Sequence, residues 1–509
     1  MKRYSTRIAA SAACAAAALV LSGCGGGGSA SGGASELDIA TLTAAQSLDP
    51  ADAIGSALPF FQAAYDTLIK RDPDGSYKPM LATEWSYDKD RTHLSMTLRT
   101  GVKFDDGTAF DAAAVKANME HFKNGGGGGA KYLKSLKDVK VVDPAHVVLE
   151  LSQPDPGLEF YLSDAAGLMA SPAKLKDGSL KTAPAGTGPY VLDKGKTAVG
   201  NKYVFTRRND YWGDKAKFKT LTISVFDNET AVVNGLKTGQ IDSAVLQDAD
   251  QQTAVASDAN LTKTPFTFDF QGLLLFDRGG VRTPALKKPE VRQAINYALD
   301  RATMLDKIRQ GHGEITDQVF GTETKAYDKS LDTYYPHDPA KAKKLLADAG
   351  YAGGFTLKLP RVPSMTDALV SSIQTDLGAV GIKVTWDQLD AGGAVQKVYR
   401  DRAYSAMVMN MGQSSIDWLT DQDLVTPGAF NMFGTTDPTV TKLLGQVQAG
   451  DEGQAAAASK ELNKQLVEQA WFAPFYRLQY QLVSSKDVKA VTQSGMAVPS
   501  IYDYSPAGS

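Results

Sequence analysis

The architecture of this chain is predicted most directly by the segment LRTGVKFDDGTAF, residues 98–110. Residues 102–104 alternate apolar and polar as a strand does, and Asp106-Gly107 then favours a turn, since glycine accepts positive φ angles that other residues resist. Asp111 follows and is suited to cap the helix predicted over residues 111–122. A strand, a tight turn and a capped helix in such close succession indicate mixed α/β structure.

The same alternation continues on both sides of this segment. Short runs rich in β-branched or aromatic residues predict strands at 37–42, 93–98, 147–151, 203–207, 221–226, 273–277, 356–359, 383–386 and 406–411. Apolar residues at helical spacing predict helices at 111–122, 229–238, 289–310, 339–349, 366–380 and 454–469. This alternation favours an α/β protein with substantial parallel sheet.

The first residues predict export. Three basic residues precede the stretch 8–21, which is apolar or small throughout. That stretch is too short to span a bilayer, which takes about 20 residues, and is typical of a secretory leader. It ends in Leu21-Ser22-Gly23-Cys24, which resembles the lipobox of bacterial lipoproteins, so residues 1–23 are predicted to be a lipoprotein signal peptide. A simple secretory leader with an incidental cysteine is the alternative.

Cys24 is predicted to carry a lipid. The only other cysteine, Cys14, lies inside the leader, so cleavage would leave Cys24 without a disulfide partner. A diacylglycerol would supply the two chains that stable anchoring requires. Residues 25–35 contain only Gly, Ser and Ala, so residues 24–35 are typical of a flexible tether. We therefore expect an extracytoplasmic protein anchored to the outer face of the cell membrane.

Composition and motifs exclude several classes of function. The formal net charge of −3 becomes about −6 without the leader, and this acidity argues against nucleic acid as a partner. The five histidines are scattered, and the sequence has no HExxH, CxxC or GxSxG pattern. The sequence therefore predicts a binding protein that has no enzymatic activity, metal or cofactor.

Eight segments carry a family resemblance. In chain order they are residues 48–50, 65–68, 74–85, 98–110, 186–190, 209–213, 291–301 and 344–351. Together they resemble the peptide/nickel (family 5) extracytoplasmic solute-binding proteins of ABC importers, the group of the dipeptide- and oligopeptide-binding proteins. Most of these segments have structural interpretations, and residues such as Trp85, Tyr211 and Trp212 are predicted to be packing anchors rather than ligand contacts.

The resemblance implies an α/β, two-lobed periplasmic-binding-protein-like fold with an extra domain inserted in the first lobe. Transferred to this chain, lobe I comprises residues 36–66, 183–267 and 475–509, the inserted domain 67–182, and lobe II 268–474. The chain would cross between the lobes near residues 266–270 and 471–475, and these crossings would form the hinge. Pro265 and Pro474 favour extended backbone there.

Ligand contacts are predicted at the end of the strand 406–411. Gly412 allows a turn there, and ligands of open α/β sheets gather beyond the carboxyl ends of strands. The predicted contacts are Met411, Gln413, Ser414, Ser415, Asp417 and Trp418. In peptide-binding relatives an aspartate in this region pairs with the ligand's amino terminus, and Asp417 is the nearest acidic candidate here. A gap-free match to the family pattern instead places a serine at that position, which leaves Asp417 as a turn or cap residue.

The resemblance implies a monomeric receptor that captures a small solute, most simply a peptide or peptide-like compound, and delivers it to an ABC permease and ATPase complex. A non-peptide solute such as a metal chelate or a sugar is one alternative. Another is a binding lipoprotein that senses its ligand and signals to a membrane partner. A third, an enzyme on the same scaffold, would require turnover of a bound compound.

Replacing Cys24 with Ala tests the anchor. The variant should appear in the medium or remain as an unprocessed precursor, because the thiol that accepts the lipid is gone. Metabolic labelling with a radioactive fatty acid, followed by membrane fractionation, measures this. Labelling and membrane retention equal to those of the wild type would contradict the prediction.

Overall fold

The structure is a computed structural model that describes residues 35–508 except 54 and 429. The predicted signal peptide, Cys24 and the tether up to residue 34 lie outside the described residues. Within the described part of the chain, no helix combines the length and the apolar character needed to cross a membrane.

Strands and helices alternate along the described chain. The strands are β1 (Glu36–Thr41), β2 (Ile69–Arg71), β3 (Tyr77–Pro79), β4 (Ala82–Tyr87), β5 (His93–Leu98), β6 (Leu136–Asp143), β7 (His146–Leu151), β8 (Tyr190–Leu192), β9 (Lys202–Arg207), β10 (Thr220–Val225), β11 (Ser243–Leu246), β12 (Leu261–Leu275), β13 (Gly313–Ile315), β14 (Phe355–Arg361), β15 (Ile382–Gln388), β16 (Ala406–Gly412), β17 (Phe472–Ser485), β18 (Val488–Ala490) and β19 (Tyr504–Pro506). The α-helices are α1 (Leu58–Ala64), α2 (Ala112–Asn124), α3 (Leu158–Leu162), α4 (Glu229–Thr238), α5 (Ala249–Val255), α6 (Pro289–Ala298), α7 (Arg301–Arg309), α8 (Pro339–Asp348), α9 (Asp367–Ala379), α10 (Ala391–Ala394), α11 (Asp417–Thr420), α12 (Pro438–Ala449) and α13 (Glu452–Glu468).

Most elements predicted from sequence are confirmed with small shifts at their ends. Strand β5 and helix α4 have the predicted bounds. Asp111 caps α2 as expected, since its carboxylate accepts a hydrogen bond from the Ala114 N–H at 2.9 Å. The single helix predicted over 289–310 is wrong. The backbone is extended at Leu299, and Asp300 starts the separate helix α7 by accepting a hydrogen bond from the Thr303 N–H.

The pairing of strands is less parallel than predicted. Strand β1 pairs in parallel with β10 and β11, and β14 pairs in parallel with β15. The other strand pairs in the described chain are antiparallel. Several of these pairs join strands that follow each other along the chain after a short turn, such as β2–β3, β4–β5 and β6–β7, and short turns join strands in antiparallel.

The central sheet has nine strands. Eight of them follow the order β16-β12-β17-β11-β1-β10-β9-β8, and the ninth, β13, pairs with β17. Strands β12 and β17 form a long antiparallel pair, which we call the β12–β17 ribbon. It extends from the pair Leu261 and Ser485 to the pair Leu274 and Phe472. One end of this ribbon joins the strands of proposed lobe I, and the other end pairs with β16 of proposed lobe II. The ribbon therefore connects the two halves of the molecule.

Buried hydrophobic side chains of the described residues form four clusters. The largest joins β1, α1 and β10 to the four-stranded sheet β4-β5-β7-β6 and helix α2, and it includes C-terminal residues such as Ile501. Two others pack around α6, α8 and α9 and around α12 and α13, and the smallest lies between α4, α5 and β11. We propose the lobe boundaries given above, with the inserted domain sharing its core with lobe I.

Two of the family segments meet at a buried carboxylate. Asp66, which is fully buried, accepts hydrogen bonds from Tyr211 Oη at 2.9 Å, Trp212 Nε1 at 2.8 Å and Tyr502 Oη at 2.7 Å. A buried carboxylate is costly unless such donors satisfy it. Tyr211 and Trp212 therefore contribute to the packing of lobe I, as the sequence predicted for them.

Candidate ligand-binding cavity

A cavity of about 600 Å³ lies beside the middle of the β12–β17 ribbon. Its size falls in the range of about 300–1,000 Å³ that is typical of small-molecule sites. Its walls come from lobe I and the inserted domain, from the ribbon, and from the end of β16 with the segment that follows it. Residues on these walls include Ser56, Lys131, Tyr132, Phe160, Tyr161, Asp164, Phe268, Asp269, Asn410, Met411, Ser414, Thr420, Asp423 and Tyr480.

Aromatic rings form much of the wall. Tyr132 and Tyr161 stack with ring centroids 4.9 Å apart, and Phe160 packs edge-on against Tyr161. On the ribbon, the rings of Phe268 and Tyr480 lie 6.4 Å apart. Such rings offer a ligand a large apolar surface together with a face of negative electrostatic potential.

Three carboxylates line the cavity, and two of them are already paired. Asp423 accepts a hydrogen bond from Lys131 Nζ at 2.5 Å. Asp164 lies 3.3 Å from a guanidinium nitrogen of Arg71, which is buried behind the wall with its guanidinium over the Phe160 ring. The third carboxylate, Asp269, accepts a hydrogen bond from the Tyr480 hydroxyl and forms no ion pair with any described residue.

Burial raises the pKa of Asp269 to about 6, and the hydrogen bond from Tyr480 only partly offsets this effect. Removal from water disfavours the charged form of a carboxyl group. Near neutral pH the group is therefore mostly ionised, but its ionisation lowers the stability of the folded protein.

A β-bulge directs Asp269 into the cavity. Thr267 faces Gln479 on β17 and Asp269 faces Leu478, so Phe268 is an extra residue without a partner on β17. Successive side chains of a regular strand point to opposite faces, and a bulge changes that alternation. Here both Phe268 and Asp269 line the cavity.

Hydrogen bonds cross the cavity between the inserted domain and the segment after β16. Tyr161 Oη donates to Gln422 Oε1 at 2.7 Å, and Lys131 pairs with Asp423. Beside the cavity, Trp418 Nε1 donates to the buried Asp155 carboxylate at 3.1 Å. The two sides are thus in direct contact beside the cavity.

The residues predicted as ligand contacts lie in three different settings. Met411 and Ser414 line the cavity. Gln413 is buried and donates a hydrogen bond to the carbonyl of Val319 at 3.0 Å. Ser415, Asp417 and Trp418 line a second, smaller cavity of about 420 Å³.

Asp417 has protein partners in this setting. Its carboxylate accepts a hydrogen bond from the Ala326 N–H at 3.1 Å. Burial raises its pKa, which the hydrogen bond from Ala326 partly offsets. Its side chain does not line the larger cavity. Asp417 as the partner of a ligand ammonium stays a prediction.

Sequence reasoning did not identify Asp269 or Tyr480. An aspartate among the phenylalanines of Phe266-Thr267-Phe268-Asp269-Phe270 is unusual in a central strand and could have drawn attention to that position. Tyr480 gives no such indication, since its role depends only on the register of β17 against β12.

Comparison with known proteins places the chain in a family. The model of "Bacterial extracellular solute-binding proteins, family 5 Middle" matches residues 76–428. The glutathione-binding protein GsiB of Salmonella paratyphi A is 31% identical over 375 residues, which cover 72% of this chain and 72% of that protein. GsiB of Escherichia coli K12 is 29% identical over 375 residues, again covering 72% of each chain.

Solved structures show the same fold. NikA from Brucella suis, in complex with Fe(III)-EDTA, has a TM-score of 0.80 at 23% identity and covers 92% of this chain and 99% of its own. DppA from Helicobacter pylori, in complex with the peptide STSA, has a TM-score of 0.79 at 20% identity and covers 93% of this chain and 98% of its own.

This chain belongs to the family 5 bacterial extracellular solute-binding proteins. It is an extracytoplasmic receptor for a small solute and works with the permease and ATPase of an ABC importer. Members of the family bind substrates rather than transform them, so the predicted family, fold class and lack of enzymatic activity are confirmed. Among the described residues, no group of three or more His, Cys, Asp or Glu side chains is arranged to hold a metal ion.

Replacing Asp269 with Asn should raise the Tm of the empty protein near pH 7. Because the pKa of Asp269 is raised in the folded state, the folded protein binds this proton more readily than the unfolded chain does. The wild type therefore gains stability from this group as the pH falls from about 7 to about 4, and the variant lacks that gain. Calorimetric melting curves at several pH values measure both effects.

Asp387→Asn is the matched control. The Asp387 carboxylate also accepts a tyrosine hydroxyl, from Tyr404 at 2.6 Å, but a hydrogen bond from Lys358 lowers its pKa. Its replacement should therefore lower the Tm near pH 7. A lower Tm for Asp269→Asn would show that the Asp269 carboxylate stabilises the fold. A wild-type pH dependence in that variant would show that the pKa of Asp269 is not raised on folding.

Proposed function

We propose that this protein is a lipid-anchored receptor that captures a peptide or peptide-like solute between its lobes and delivers it to an ABC importer. The observation that carries the proposal is the cavity of about 600 Å³, whose walls come from both sides of the β12–β17 ribbon. A solute held there touches both lobes at once, so its binding favours the closed arrangement of the molecule.

The lining suits a peptide-like compound. Aromatic rings offer apolar surface for side chains, while Ser414, Asn410 and Thr420 can form hydrogen bonds with amide groups. The related GsiB proteins are named for glutathione, which is itself a peptide-like compound, and the related DppA was solved with a peptide. We propose Met411 and Ser414 as direct contacts.

Asp417 supports the wall in this proposal. Its hydrogen bond from the Ala326 N–H connects the start of α11 to the loop between β13 and α8, and Trp418 beside it bonds to Asp155 across the lobes. A metal chelate is a less suitable solute, because no histidine is among the residues that line the larger cavity.

Lipid attachment at Cys24 and a monomeric state complete the proposal. The lipobox at residues 21–24 and the Gly/Ser/Ala tether support attachment. The monomeric state follows the family resemblance, in which one chain supplies both lobes of the cleft. Genes for a permease and an ATPase beside this gene would favour transport over sensing.

Mass spectrometry of copurified solute tests the proposal. Wild-type protein purified without refolding should release a small solute on denaturation. Ser414→Trp should release little or none, because an indole at this position fills the cavity. Ser257→Trp is the control, since Ser257 is exposed in the turn after α5 and should keep the solute. Equal amounts of solute from Ser414→Trp and the wild type would place the binding site elsewhere.

A further inference from the structure

We infer that the solute carries a cationic group, an ammonium or a guanidinium, and that this group binds the carboxylate of Asp269. The inference rests on the proposed function, since it names the chemistry of the solute that the same cavity captures. It assigns the recognition of charge to the ribbon rather than to the segment 411–418.

The charges around the cavity support this assignment. Two cations at its walls already have carboxylate partners: Lys131 pairs with Asp423, and Arg71 pairs with Asp164. Asp269 has only the neutral hydroxyl of Tyr480 as a partner among the described residues. An enclosed carboxylate without a cation is unfavourable, and a cationic ligand group would offset that cost.

The backbone leaves space for such a group beside the carboxylate. Asp269 faces Gly412 of β16 in the register of the sheet. A Cβ atom at position 412 would lie 3.6 Å from Asp269 Oδ1 and 3.3 Å from the ring of Phe268. Any side chain there would cover this oxygen, whereas glycine leaves it accessible from the cavity.

Two aromatic rings adjoin the same place. Phe268 and Tyr480 both line the cavity next to Asp269. Their π faces attract cations, and this attraction is stronger where water is excluded. A carboxylate between aromatic rings is a suitable environment for an ammonium or guanidinium group.

An anionic group would be unfavourable at this place. It would be repelled by Asp269, and Lys131 could pair with it only by giving up Asp423. A neutral group would leave the carboxylate without a counter-charge. The arrangement therefore selects for positive charge at one end of the solute.

Two pairs of probes that differ in a single charge test the inference by isothermal titration near pH 7.5. Arginine is compared with citrulline, in which a neutral ureido group replaces the guanidinium. Alanylphenylalanine is compared with its N-acetyl form, which lacks the ammonium. In at least one pair, the charged member should bind wild type about tenfold more tightly or better, the effect of a charge-assisted hydrogen bond.

Two variants test whether Asp269 causes the preference for the charged probe. Asp269→Asn should abolish the discrimination within the pair, while Asp387→Asn, whose carboxylate lies outside the cavity lining, should keep it. The inference is overturned if wild type binds both members of each pair equally, if Asp269→Asn still discriminates, or if no probe binds at millimolar concentration.

The identity of the copurified solute distinguishes failure of this inference from failure of the proposed function. A solute that Ser414→Trp excludes but that carries no cationic group would overturn the inference alone. Absence of any cavity-bound solute, together with no binding of the four probes, would overturn both.

Discussion

The antiparallel pairing of β12 with β17 is the constraint on which the rest of the structure depends. These two strands are the longest in the described chain and lie next to each other in the central sheet. One end of the ribbon is hydrogen-bonded to β11 and the other end to β16. We propose that relative motion of the two halves occurs within this ribbon, at the crossings 266–270 and 471–475.

The irregularities of this ribbon determine which of its side chains face the cavity. The register shifts after Thr267 and again after Gln271, and the first shift leaves Phe268 as an extra residue. A regular strand would direct only alternate side chains to the cavity. The bulge directs the aromatic ring of Phe268 and the carboxylate of Asp269 to the same side, next to Tyr480, where the lobes meet. Charge recognition and lobe movement are thus located in the same few residues.

Local patterns predicted individual elements well, and the family motifs predicted the fold. Strand β5, helix α4 and the Asp111 cap depend on neighbouring residues, so the sequence is sufficient for them. The ribbon was largely missed. Strand β12 was predicted only near its end, and β17 was not predicted. Both contain a proline and a register shift, which interrupt the alternation that identifies strands.

The site was predicted only in part for a related reason. The strand 406–411 and the glycine after it located Met411 and Ser414, which line the cavity. Asp269 and Tyr480 are separated by more than two hundred residues in sequence, and only strand register brings them together. Asp164 and Asp423 are likewise neutralised by partners from distant segments. The unpaired state of Asp269 is therefore a property of the folded molecule.

The central claim is that a solute between the lobes holds the molecule closed about the β12–β17 ribbon. Small-angle X-ray scattering tests it most directly, with protein stripped of its copurified solute by reversible unfolding and then resupplied with it. The radius of gyration should decrease when the solute is restored and should not decrease in Ser414→Trp. A wild-type scattering profile that is unchanged at saturating solute would contradict the account.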